Sequence, residues 1–235
     1  MSTPTGRDAA VRRLREAARR GRSWARDYRY AVGRQAEVLF VRDVPAAFAE
    51  GTLRPVVLLA GVLEPWTLLL PVALRLNAAG HPVHVVPELA YNRARIADAG
   101  RLVLAAVRAR DLRDVVLVAH SKGGLVGKWM LAHDAEDRLA RLVAIATPFH
   151  GSRLARLLPS RTIRALAPDD PAILELAART DLNARITSIY PSFDPHIPDG
   201  SHLPGATNVP VAAMGHFQIL SEPEVLDAVV IAAGS

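Results

Sequence analysis

Short, continuous apolar runs separated by helix-length segments punctuate this chain, and that rhythm constrains its fold more than any other feature. Val56-Val57-Leu58-Leu59-Ala60-Gly61 follows Arg54-Pro55 and closes on glycine. His84-Val85-Val86, Val115 to Ala119 and Leu142 to Ala146 repeat the pattern. Runs this brief and uninterrupted read as strands buried on both faces, as in a parallel sheet. Between them, Thr67 to Ala79, Ala94 to Arg110 and the stretch from Ser121 to His133 carry helical patterns. Two later strands, Ile186 to Tyr190 and Asn208 to Val211, and a final helix from Pro223 to Ala233 complete the series. The expected fold class is α/β, with a mostly parallel central sheet and helices on both faces. At 235 residues, half of them hydrophobic, the chain suits one such domain with a full core.

Two stretches depart from the rhythm. Ser152 to Thr180 holds Pro159, Pro168 and Pro171 between short helical pieces. Because it follows a strand's C-terminal end, where open α/β sheets bind ligands, it reads as a small cap-like insertion over the site. Its apolar residues Leu154, Leu157, Leu158, Ile163, Leu166, Ile173, Leu174 and Leu176 are core for the most part, or a wall for an acyl chain. Residues 1–50 form a basic helical extension ahead of a domain at 51–235. Ten arginines before residue 35 face only Asp8, Glu16 and Asp27. Val11, Leu14 and Ala18 give a short amphipathic stretch that suits either a solvated helix or peripheral contact with an anionic membrane. From Trp24 to Glu50 a helical lead-in is expected, with Tyr28, Val32, Ala36 and Leu39 on its packed stripe.

The net charge of +6 is concentrated in that extension, and no aromatic interleaving accompanies it, so nucleic acid is not an expected partner. The absence of cysteine excludes disulfides and thiolate metal sites. No apolar run reaches the roughly 18 residues of a membrane span, and no signal-peptide core follows the N-terminal charges, so a cytoplasmic location is favoured, with export after processing as the alternative.

The chemistry centres on Val115 to Trp129, where an apolar strand breaks at Ser121 and becomes a helix of small residues. Strand, sharp turn and helix place the serine at an apex, as in the G-x-S-x-G nucleophile elbow, here with Ala119 for the first glycine. An ordinary strand-to-helix turn has a similar sequence, and what separates the two is the order of residues downstream. Asp194 follows the strand ending at Tyr190, and His216 follows the strand ending at Val211. Ser121, Asp194, His216 is the chain order of nucleophile, acid and base on a sheet of this kind. The backbone N–H groups of Val62 and Lys122 are the expected oxyanion donors, and Leu63, Phe149 and His150 the expected pocket residues. His196 is a rival base and Asp199 a rival acid. His120, preceding the nucleophile, should point away from the reacting face into packing or a hydrogen bond. The spacing of His81, His84, His133 and His202 matches no metal site, and no cofactor is expected.

Five pieces occur in one order: Leu59-Ala60-Gly61-Val62, Ala119-His120-Ser121-Lys122-Gly123-Gly124, Ile145 to Ser152 with its Thr147-Pro148, Ser188-Ile189-Tyr190 with Asp194, and Gly215-His216. Together they resemble the α/β-hydrolases of the bacterial lipase and esterase type, departing in Ala60, where such lipases commonly carry histidine, and in Ala119. The resemblance implies an α/β-hydrolase fold, a serine nucleophile and hydrolysis of a small-molecule acyl ester, including lipid esters. Acyl transfer by the same residues, or a silent module of this fold that binds a lipid or partner, are the alternatives.

Overall fold

The computed structural model describes residues 6–37 and 44–234, with side chains from Arg15 to Gln35 and from Val44 onward. Six strands, β1 (Val56–Leu59), β2 (Val83–His84), β3 (Val115–His120), β4 (Leu139–Ile145), β5 (Ile186–Phe193) and β6 (Thr207–Met214), form one sheet. Their order is β2-β1-β3-β4-β5-β6, and every neighbouring pair is parallel. The helices are α1 (Gly6–Glu37), α2 (Leu70–Ala78), α3 (Ile96–Ala109), α4 (Lys122–Ala132), α5 (Arg161–Arg164), α6 (Pro171–Ala178) and α7 (Pro223–Gly234).

Alternation along the central strands divides the core in two. Val57, Leu59, Leu117, Ala119, Leu142 and Ala144 face α3 and α4, where Val103, Leu125 and Met130 pack on them. Val56, Leu58, Val116, Val118, Val143 and Ile145 face α2 and α7, against Leu69, Val72, Leu76, Val225 and Val229. A strand residue's neighbours point to opposite faces, so only runs apolar at every position serve both layers. Each such fully buried side chain contributes about 2 kcal/mol of burial free energy.

Several boundaries differ from those expected. β2 is confined to Val83–His84, because Val85 and Val86, though buried, lead into the 3-10 turn Pro87–Leu89. The helix expected from Thr67 begins as a 3-10 turn, Trp66–Leu69. β5 runs past its expected end through Pro191, and β6, which contains Pro210, extends beyond Val211 to Met214. A proline interrupts a ladder only where its N–H is needed. Pro210 lies on the edge strand, and the β5–β6 register shifts between Pro191 and Phe193.

The N-terminal extension differs most. One continuous 32-residue helix replaces the two pieces expected, and the expected stripe is not the packed one. Val32 is 66% exposed and Tyr28 is partly exposed, whereas Ser23, Asp27 and Ala31, spaced four apart, are buried. The side chains of Val11, Leu14 and Ala36, and Leu39 as a whole, lie outside the described residues. Among the described residues no helix is long and apolar enough to cross a membrane.

Candidate active site

Ser121, at the end of β3, has φ +51° and ψ −124° and is nearly buried. A non-glycine residue in this region stores on the order of 1–3 kcal/mol of strain, held by its surroundings. Ser121 N–H donates to Ile145 O (2.9 Å) and Gly124 N–H donates to Ser121 O (3.0 Å). The glycines after it are steric requirements: a Cβ on Gly123 would lie 2.2 Å from Leu59 O, and one on Gly124 2.0 Å from Thr147 Oγ1. The missing first glycine is accommodated, since Ala119 is completely buried within the α3–α4 layer.

Asp194 and His216 follow β5 and β6 directly, so both lie with Ser121 at the C-terminal edge of the sheet. His216 Nδ1–H donates to Asp194 Oδ2 at 2.8 Å, while Asp194 Oδ1 accepts from His196 N–H (2.7 Å) and Ile197 N–H (2.9 Å). Burial alone would raise the Asp194 carboxyl, but the His216 charge and these hydrogen bonds outweigh it and hold it below the usual carboxylate range. Burial alone would lower the His216 imidazole; Asp194, Glu64 and Asp27 outweigh it and raise it.

The rivals lie elsewhere in this geometry. His196 is adjacent, with ring centroids 5.0 Å from His216, but burial and the neighbouring His216 bring its pKa down to about 4. Its backbone, not its ring, bonds Asp194. Asp199 is an exposed partner of Arg153 at 3.2 Å.

His120 is fully buried and bridges two elements. Its Nε2–H donates to His216 O (3.0 Å), and its Nδ1 is hydrogen-bonded to Glu64 Oε2 (2.7 Å), which also accepts from Gly61 N–H. The expected hydrogen-bonding role is thus the one observed, whereas Glu64 escaped the sequence reading. Glu64, His120 and His216 bring one ligand-type atom each within 4.8 Å of one another, and the bonds within this group make it a support for the His216 backbone.

A cavity of about 450 Å³ opens over Ser121 and His216. The insertion contributes Leu154, Leu157, Leu158, Ile163 and Leu166, and α1 contributes Trp24, Tyr28, Ala31 and Gln35. Of the insertion's remaining apolar residues, Ile173 and Leu176 are core and Leu174 is exposed. Val62 and Leu63 line the cavity; Leu63 has φ +61° and its N–H donates to Tyr91 O, whereas Val62 N–H has no acceptor among the described residues. Lys122 opens α4, so its N–H is one of the first-turn donors without an intrahelical acceptor. Two expected pocket residues are corrected. Phe149 is buried in the core beneath Lys128, and His150 is exposed; Pro148 and Ser152 line the cavity instead. The turn after β4 holds Ala146 at φ +47°.

Solved structures share this fold. The mature lipase BlEst2 of Bacillus licheniformis superposes with a TM-score of 0.60 over 80% of this chain and 93% of that one, at 18% identity. Lipase B of Aspergillus fumigatus gives 0.62 over 80% of this chain and 54% of that one, at 17% identity. The chain has the α/β-hydrolase fold. A thermophilic esterase from Thermogutta terrifontis is similar over 79% of this chain and 92% of that one, with 18% identity and a TM-score of 0.54. No family model and no curated protein matches the chain by sequence. Within the α/β-hydrolase fold, a serine elbow, an acid and a histidine after successive strands occupy the sheet edge where ligands bind.

Proposed function

We propose that the chain is a serine hydrolase that cleaves carboxylic esters through an acyl-enzyme on Ser121. The observation that carries this reading is His216, paired with Asp194 at 2.8 Å and lining one apolar cavity together with a serine held at φ +51°. His216 takes the Ser121 hydroxyl proton as Oγ attacks the ester carbonyl and returns it to the departing alcohol; Asp194 fixes the tautomer and stabilises the imidazolium. Water then repeats the sequence on the acyl-enzyme. The N–H groups of Val62 and Lys122 stabilise the oxyanion, each worth about a hundredfold or more in rate. No cofactor takes part in this scheme.

The cavity supports an acyl ester with an aliphatic chain as substrate, including lipid esters, since Leu154, Leu157, Leu158, Ile163 and Leu166 line it. Hydrolysis of p-nitrophenyl esters of increasing chain length tests this. Ser121→Ala and His216→Ala are expected to lower kcat by at least about 10⁴-fold, and chains longer than acetate to be preferred. Turnover by Ser121→Ala at the parent rate would refute the mechanism, and an acetate preference would refute the role of that lining.

A further inference from the structure

One buried carboxylate beside His216 also holds its backbone. Asp27 lies on α1, 189 residues away in sequence, and is completely inaccessible to solvent. Its Oδ1 accepts three consecutive backbone N–H groups: His216 (2.9 Å), Phe217 (2.7 Å) and Gln218 (2.9 Å). Gly215 makes this approach possible, with φ +110°; a Cβ there would lie 2.7 Å from the same oxygen. The His216 peptide is therefore held on both sides, its N–H by Asp27 and its C=O by His120, while Asp194 holds the ring. Among the described residues the second Asp27 oxygen, Oδ2, has no hydrogen-bond partner, nor has His196 Nε2, which faces it at 3.9 Å.

We infer that Asp27 is a positioning residue that locks the 216–218 turn, so that α1 is an integral part of the catalytic apparatus. The inference rests on the ester-hydrolase reading, in which His216 is the base. Three strong hydrogen bonds to one charged oxygen fix the backbone from which the imidazole projects, and a displacement of the base by about 1 Å costs on the order of a hundredfold in rate. Around the His216 ring the titratable groups are Asp194 after β5, Glu64 after β1, His120 on β3, His196 in the acid turn, and Asp27 and Tyr28 on α1. Of these, Asp27 and His120 hydrogen-bond the His216 backbone, and Asp27 makes no hydrogen bond to its ring.

Full-length parent, Asp27→Ala and Asp27→Asn, each checked for folding by circular dichroism, should be compared for kcat, KM and pH profile with p-nitrophenyl acetate. Asparagine keeps an oxygen acceptor and removes the charge. Asp27→Ala is expected to lose about 100-fold in kcat, with KM within about 3-fold of the parent. Asp27→Asn is expected to recover to within about 10-fold and to shift the acid limb to lower pH, because one carboxylate that favours the imidazolium is gone. A folded Asp27→Ala with parental kcat would overturn the role. An Asp27→Asn variant no better than alanine, or one with an unmoved acid limb, would also overturn it. If Asp27→Ala does not fold, the asparagine pH profile decides. A parent that neither turns over ester nor reacts with a phosphonate would instead refute the hydrolase reading itself.

Discussion

Three carboxylates surround the His216 imidazole, which is why its pKa is raised in spite of complete burial. A general base works in its neutral form, so the acid limb of kcat/KM should lie above the ordinary histidine value of about 6.5. A pH–rate profile checks this, and a limb at or below that value would contradict it. Asp194→Asn should reduce kcat by about 10⁴-fold, by analogy with loss of the correct tautomer in other triads; steady-state kinetics on the purified variant measures it. The buried lysines act on stability instead. Burial brings Lys128 down to about 8 from 10.5, so between those values the unfolded chain binds more protons than the folded one. Stability from this source then rises with pH across the window and is lost as pH falls through about 8. Lys128→Met should flatten that slope in thermal melts, while leaving Asn183 Oδ1 without the donor it has at 2.8 Å.

At the scale of the element, the strand-turn-helix around Ser121 is legible because close approach leaves a direct mark in the sequence: Gly123 and Gly124 face Leu59 O and Thr147 with no room for a methyl group. Gly123→Ala must move α4 or β1, and should abolish labelling of Ser121 while lowering the melting temperature. A labelled, equally stable variant would show that the elbow tolerates displacement. The division of the leucines and isoleucines of residues 152–180 between core and cavity wall was not legible. Whether a leucine faces substrate or packing depends on the angle at which short helices cross the site, which spacing alone does not encode. Phe149 and His150 were misread for a related reason: the path of the turn after β4 decides which side chains face inward. Helix α1 was misread in its packed face. Its stripe is set by Asp27 and Ser23, polar residues that hydropathy assigns to solvent, and the one available signal was an isolated aspartate at a four-residue spacing from Ala31 amid arginines.

On the scale of the whole molecule, the parallel sheet with its two core layers follows from uninterrupted apolar runs, and its C-terminal edge gathers residues far apart in sequence. Networks that join such residues, Glu64 with His120 and Asp27 with the 216–218 turn, are invisible to sequence because each partner is an ordinary polar residue until the chain folds. α1 presents Trp24 and Tyr28 to the cavity, and on its other flank carries exposed arginines at 15, 19, 22, 26 and 29. Deleting residues 1–22 leaves Asp27 in place and should weaken binding to anionic liposomes in a salt-sensitive way; equal binding would exclude a membrane role for that segment. The central claim is that Ser121 is an activated nucleophile. Its most direct test is reaction of the folded protein with a fluorescent phosphonate ester, read by intact mass, for the parent, Ser121→Ala and His216→Ala. A single adduct on the parent at Ser121, absent from Ser121→Ala and strongly slowed in His216→Ala, is the expected result; an unlabelled parent, or an adduct that survives Ser121→Ala, would contradict it.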